Sequence, residues 1–218
     1  GTINAAPNPV DKFVGGQTAG AFELVVQSSL PLADLEVAAF GLGAPQVETL
    51  PQIQDDPDDP SSAAHQFPFT VQNAALIEVS TQAEAGDIDL YLLYDRDADG
   101  YFDFINEVVA SSSTATANEH IKVTFPEDGD YLVVAHGWGA EPGADFALTL
   151  NVVAGTELVV TGLPDGPYQP NTPIVFDIAW TRETPLPLEG EAFGVILLGP
   201  PGAESAIEIP VRLHNDPG

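Results

Sequence analysis

Residues 86–113 read GDIDLYLLYDRDADGYFDFINEVVASSS: a short apolar run at Ile88–Tyr94, a dense acidic turn, and a second apolar run at Glu107–Ala110. Neither run shows the i, i+3, i+4 spacing of an amphipathic helix. Short apolar runs bounded by Gly, Asp, Asn and Pro are the mark of strands. The same pattern extends outward in both directions, from Phe22–Val26 through Tyr131–His136 and Ile174–Trp180 to Ile207–Leu213. Successive runs lie roughly ten residues apart, the spacing of a sandwich. The 20 Gly and 20 Pro fall between them, where tight turns need a free or a fixed φ. The reading is all-β, a β-sandwich.

Composition narrows the function classes. The chain has 218 residues, enough for one or two domains with a sizeable core, and 33 Asp+Glu against 5 Lys+Arg give a net charge of −28. Nucleic acid and anionic membrane surfaces are excluded as partners, because both need clustered cations to displace counterions. A hydrophobic share of 44% with 17% charged residues fits a folded chain, not a disordered one. With no cysteine there are no disulfides, no thiol catalysis and no Cys-ligated zinc. No apolar run approaches the ~18 residues of a membrane-spanning helix. The balance favours a soluble extracellular β protein. The start, Gly1-Thr2-Ile3-Asn4, carries neither Met nor a basic and apolar leader, so the chain is read as a processed product or a fragment of something longer.

Two boundaries stand out. Gln54-Asp-Asp-Pro-Asp-Asp-Pro60 combines like charges with Pro and reads as an exposed, extended loop, and around Val153–Thr156 one set of strands gives way to another. They divide the chain into an N-terminal β segment (1–54), a central β-sandwich (55–153) and a small C-terminal β segment (154–218). The outer pieces offer few strands each for an independent core. The N-terminal strands either complete one of the later sheets or end a domain lying upstream.

The acidic turn carries the most specific chemistry. Asp95-Arg-Asp97-Ala-Asp99-Gly100-Tyr101-Phe-Asp103 matches the first half of a calcium loop. Calcium takes six to eight oxygens, alternate side chains on a curled loop converge on one point, and glycine permits the sharp turn. Asp95, Asp97 and Asp99 would supply carboxylates, Tyr101 its carbonyl, and Asp103 a direct or water-mediated oxygen. Asn106 stands where a calcium-binding helix–loop–helix has its closing Glu, Glu107 comes one residue late, and the flanks are strand-like. The other reading is a solvated turn in a very acidic protein. Asp87 and Asp89 share one face of their strand, toward a metal or toward water.

Catalytic constellations are missing. There is no G-x-S-x-G, no H-E-x-x-H and no phosphate-cradling glycine loop, and His65, His120, His136 and His214 are not at metal-ligand spacing. His136-Gly137 ends a strand and reads as a packed or hydrogen-bonded histidine. Trp180 closes an apolar strand and reads as core, while Trp138, in a Gly-rich turn, is a loop plug or a binding platform.

Taken in order, Gly86-Asp-Ile-Asp-Leu-Tyr-Leu-Leu-Tyr94, Val108-Val-Ala-Ser-Ser-Ser113, Ala117-Asn-Glu-His-Ile121, Gly129-Asp-Tyr-Leu-Val-Val-Ala-His-Gly-Trp-Gly139 and Ala144-Asp-Phe-Ala-Leu-Thr-Leu150 resemble the C-terminal accessory region of secreted subtilisin-like serine proteases. The frame is similar to the pre-peptidase C-terminal type of β-sandwich. Ile174–Trp180 and Ile209–Leu213 resemble the immunoglobulin- or fibronectin-like strands that follow such regions. The resemblance implies a jelly-roll-like sandwich plus immunoglobulin/fibronectin-like strands, and adds weight to calcium at the acidic loop. The protease's own catalytic motifs are absent, so its activity does not carry over.

The expected function is that of a non-catalytic, calcium-stabilised accessory region of a secreted, extracellular protease, its partner being the upstream protease domain of the same precursor. The alternatives are a module that binds protein, polysaccharide or cell surface through exposed aromatics such as Trp138, Tyr168 or Tyr94, and a free-standing extracellular structural protein.

Overall fold

Along strand β3 (Ala19–Ser28), Phe22, Leu24 and Val26 are buried while Ala21, Glu23 and Gln27 are exposed. That period of two is what a pleated strand with one covered face requires. The computed structural model describes residues 1–216, and their regular structure is β throughout apart from one turn of 3-10 helix at Pro60–Ser62. The contacts separate two compact units, Gly1–Ala44 with the segment from Val153 onward, and Pro45–Val152.

The first unit is a sandwich of two four-stranded sheets. One runs β1 (Ile3–Ala6), β3, β14 (Ile174–Thr181), β13 (Leu158–Thr161); the other runs β2 (Val10–Phe13), β16 (Ile207–His214), β15 (Glu191–Gly199), β4 (Glu36–Gly43). Paired strands are antiparallel except β2 and β16, which run parallel. These orders are the A-B-E-D and G-F-C sheets of an immunoglobulin-like fold, with the first strand divided between them. Leu24, Ile178 and Trp180 from one sheet meet Ile196, Leu198 and Ile209 from the other in one apolar core. Each such side chain, fully withdrawn from water, contributes on the order of 1.5–3 kcal/mol. Trp180 is one of its largest fully buried side chains. Tyr168 is buried as well: its hydroxyl donates to the Pro164 carbonyl, and its backbone pairs with Leu32. It therefore offers no exposed ring to a ligand.

The second unit enters between β4 and β13, where an immunoglobulin-like sandwich has only a connection between strands. Its eight strands are β5 (Gln46–Pro51), β6 (His65–Val71), β7 (Ala74–Gln82), β8 (Asp87–Tyr94), β9 (Val108–Ser112), β10 (His120–Thr124), β11 (Gly129–Gly139) and β12 (Asp145–Ala154). They form the sheets β10-β7-β12-β5 and β6-β11-β8-β9. Successive strands change sheet at every step except β8 to β9, which is a jelly roll. Ile88, Leu90 and Leu92 on β8, Val133 on β11 and Ile77 and Val79 on β7 are completely or almost completely buried.

The organisation differs from three segments in a row. The N-terminal and C-terminal thirds share one core, because β3 pairs with β14 and β4 with β15. The unit boundaries fall at Ala44/Pro45 and Val152/Val153. Strands β1, β2 and β5 have no counterpart in the apolar pattern. The first two are four residues long, and β5 is exposed along nearly its whole length.

Candidate metal centre

The single hairpin within a jelly-roll sheet, β8 to β9, is closed by residues 95–107, and its ends are tied by the backbone. Tyr94 N–H donates to the Glu107 carbonyl at 2.9 Å, and Asp95 N–H donates to the Asp130 carbonyl at 3.0 Å. Between those ties the chain curls tightly. Ala98 (φ +57°) and Gly100 (φ +83°) adopt left-handed backbone, which costs a non-glycine residue about 1–2 kcal/mol. The Asp side chains hold the curl from inside: Asp95 accepts from Asp99 N–H (3.2 Å) and Gly100 N–H (2.9 Å), and Asp99 accepts from Tyr101 N–H (2.8 Å). Asp95 is buried, while Asp97 and Asp99 are open to water.

The curl brings one carboxylate oxygen from each of Asp95, Asp97 and Asp99 within 4.8 Å of one another. Three like charges at that separation repel, and a cation among them reverses the sign of the interaction. An all-oxygen set suits a hard cation and not the soft metals that prefer sulfur or imidazole. The cluster is thus capable of coordinating a metal ion. Asp103 does not join it. Its carboxylate accepts from Ile105 N–H (2.7 Å) and from the Asn106 side-chain amide (2.5 Å), and so closes a second turn. Tyr101 is largely exposed.

The spacing rule missed Glu107. It is 5% exposed, and its two oxygens accept from Arg96 N–H and Asp103 N–H, both at 2.8 Å. It staples the start of the loop to its end from inside the hairpin. Its one visible signal is an acidic residue opening an apolar strand, where solvent-facing acids are the ordinary case.

The loop also covers a face of the sheet. Leu93, Leu132 and Val134 point away from the jelly-roll interior and are buried by Ala63 beneath the segment before β6, with Tyr91, Phe102, Phe104 and Val108 packed around them. Phe104 meets the ring of Tyr91 edge-on at 5.6 Å. A change in the loop is therefore transmitted to apolar packing.

On the same face, the acidic segment before β6 straps the end of β11. The Asp55 carboxylate accepts from Gly137 N–H (2.8 Å) and Ala64 N–H (3.0 Å), and Asp55 N–H donates to the Gly137 carbonyl. A side chain at Gly137 would lie 1.9 Å from the Ile53 carbonyl oxygen, so only glycine lets the strap approach. His136 is 1% exposed, with Nε2 2.9 Å from the Asp56 carbonyl, which assigns that nitrogen the proton. Its Nδ1 faces Asp89 Oδ2 at 3.9 Å. Burial, then neighbouring Asp87, push the Asp89 carboxyl above its ordinary value, with His136 and Tyr91 opposing; burial and then Glu119 do the same to Asp87.

The remaining sequence candidates are placed as follows. The rings of His65, His120 and His214 lie against the Pro51 carbonyl, Glu78 and Asp11. Among the described residues no histidine ring is hydrogen-bonded to a serine or threonine hydroxyl. Tyr94 stacks on Tyr131 at 4.9 Å, leaving Trp138, half exposed, as the aromatic that faces solvent among the three proposed as a platform.

Comparison with known proteins agrees with the central frame. The sequence profile of the bacterial pre-peptidase C-terminal domain matches residues 64–137. No curated protein matches the chain. Among solved structures, the M60 catalytic domain with the CBM51-1 and CBM51-2 domains from Clostridium perfringens ZmpB aligns over 98% of this chain and 30% of its own, at 9% identity and TM-score 0.31. AvmM, described as catalysing macrocyclization in alchivemycin A biosynthesis, aligns over 100% of this chain and 90% of its own, at 11% identity and TM-score 0.19. Both likenesses are too loose to carry an argument. The chain spans less than a third of the length of the first.

Proposed function

We propose, from the premise that residues 64–137 form a bacterial pre-peptidase C-terminal domain, that this chain is a non-catalytic accessory region of a secreted subtilisin-like protease, stabilised by calcium in the Asp95–Asp103 loop. Its partner is the protease domain upstream in the same precursor. The observation that carries the reading is the convergence of the Asp95, Asp97 and Asp99 carboxylates within 4.8 Å on a loop held in shape by its own backbone. The Tyr101 carbonyl completes the ligand set, and Asp103, engaged by Ile105 and Asn106, contributes through a water molecule.

The role follows from linkage. An ion that binds the folded loop and not the unfolded chain adds RT ln(1 + [L]/Kd), about 3 kcal/mol at a hundredfold excess over Kd. A protein with no cysteine has no disulfide to supply that stability outside the cell. The ion also offsets repulsion in a chain of charge −28, and it fixes the loop that brings Phe102 and Phe104 onto the sheet. Thermal melts in calcium, in magnesium and in chelator test the reading. A calcium-specific rise of several degrees is expected, and an unchanged melting temperature would refute it.

A second reading, a module that holds the enzyme on a protein or polysaccharide surface, is favoured by one observation, the half-exposed ring of Trp138. Retention on collagen, chitin or cell-wall material, lost in Trp138→Ala with the fold intact, is its expected signature. No retention on any matrix would dismiss it.

A further inference from the structure

We propose that the immunoglobulin-like unit carries a binding site for a small zwitterion, a ligand bearing both a carboxylate and an ammonium as a free α-amino acid or a dipeptide does. The site is a cleft of about 570 Å³ that displays one guanidinium and two carboxylates kept apart from each other.

The positive pole is Arg182. Its guanidinium makes one long hydrogen bond, Nη1 to the Leu42 carbonyl at 3.5 Å, and its Nε is buried with no acceptor among the described residues. A partly buried guanidinium left without partners costs free energy, and in a chain with 33 carboxylates a structural arginine has acids to choose from. Arg212 in the same unit does choose: it is paired with Asp11 and Glu191. Arg182 has no such pair among the described residues, although Glu157 and Glu183 line the same cleft.

The negative pole is equally fixed. Glu157 spends one oxygen on Leu42 N–H at 3.2 Å, so the backbone of Leu42 is held at its N–H by Glu157 and at its carbonyl by Arg182. Each charge is thus engaged at Leu42, and among the described residues the two form no salt bridge with each other. Glu183 leaves its carboxylate free at the exposed rim, and Thr156, Thr181 and Thr184 add hydroxyls that donate or accept.

Charge decides the ligand class. A planar guanidinium fork matches a carboxylate. A bare anion, however, must approach a chain of charge −28 and pass two carboxylates at the cleft. A ligand of zero net charge escapes the long-range repulsion and gives its carboxylate to Arg182 and its ammonium to Glu157 or Glu183.

The test is an amide chemical-shift titration of the full 218-residue chain with glycylglycine, beside acetate and methylammonium at the same ionic strength. Glycylglycine should give saturable shifts at Leu42, Glu157 and residues 181–184, with each single-charge probe binding about tenfold more weakly or worse. Arg182→Gln should abolish saturation. Glu183→Gln, at an exposed position where folding is not at stake, should weaken glycylglycine severalfold and leave acetate unharmed. An absence of saturable shifts in the native chain, acetate binding as tightly as glycylglycine, or unchanged glycylglycine binding in Glu183→Gln and a folded Arg182→Gln would each overturn the proposal.

Discussion

A D-x-D pair and a D-x-D-x-D run lie at the two ends of strand β8, and the backbone gives them opposite fates. Asp87 and Asp89 sit in an extended strand, which points both to one face but holds successive same-face side chains roughly 6.5–7 Å apart along the chain. Asp95, Asp97 and Asp99 sit on a curl with left-handed residues at 98 and 100, and their oxygens close to within 4.8 Å. Burial first, and neighbouring carboxylates second, make the first pair hold protons more tightly. The second set, braced by three backbone N–H groups, converges closely enough to be capable of coordinating a cation. The same residue pattern becomes a half-buried acid pair or a converging carboxylate cluster according to backbone curvature.

The contrast is most directly broken at Asp95, which holds the curl and, in the proposed function, also binds the ion. Asp95→Ala should cost about 2–4 kcal/mol in chemical unfolding, from two lost hydrogen bonds and a rearranged loop, and should abolish the calcium-dependent rise in melting temperature. Removing the outer carboxylates together, Asp97→Ala with Asp99→Ala, should abolish the calcium response at a smaller cost in its absence, about 1–2 kcal/mol, since both side chains face water. A retained response would remove the ion from this loop. Gly100→Ala tests curvature itself. A Cβ at that position meets nothing within 4 Å, so any loss, about 1 kcal/mol, comes from the positive φ, and calcium affinity measured by titration calorimetry should fall with it.

The smallest expected effect is in the strand pair. Because burial raises the Asp89 carboxyl above its ordinary 3.8, the folded state binds that proton more tightly than the unfolded chain does. Ionisation therefore lowers stability progressively as pH rises from about 3.8 to the raised folded value, and the deficit is full above it. Asp89→Asn should match the parent below that window and exceed it above by less than about 1 kcal/mol, as read from urea midpoints across pH. Equal stability at all pH values would mean that Asp89 is as well solvated folded as unfolded.

The strands were legible wherever a face is covered: Phe22, Leu24 and Val26, or Ile88, Leu90 and Leu92, repeat every second residue because water is excluded from one side only. Strand β5 was not, because an exposed edge places no apolar demand on Gln46–Pro51. Nor was the sharing of one core by the two ends of the chain, since pairing of Ile178 with Phe22 leaves no mark in local spacing. At the loop, alternation sufficed to bring Asp95, Asp97 and Asp99 together. The diversion of Asp103 to Ile105 and Asn106, and the burial of Glu107, arise from hydrogen bonds that depend on the turn already being formed.

The jelly roll's entry between β4 and β13 also sets a timetable for synthesis. Strands β1 to β4 leave the ribosome before the rest of their unit, and they have no partner sheet until β14 to β16 follow. In the interval the inserted unit has all eight of its strands and can complete its own core. The first strands of the immunoglobulin-like unit to be made are thus among the last of that unit to be buried. During synthesis Phe22, Leu24 and Val26 stay uncovered after the inserted unit has all its strands, and aggregation should be most acute at that stage.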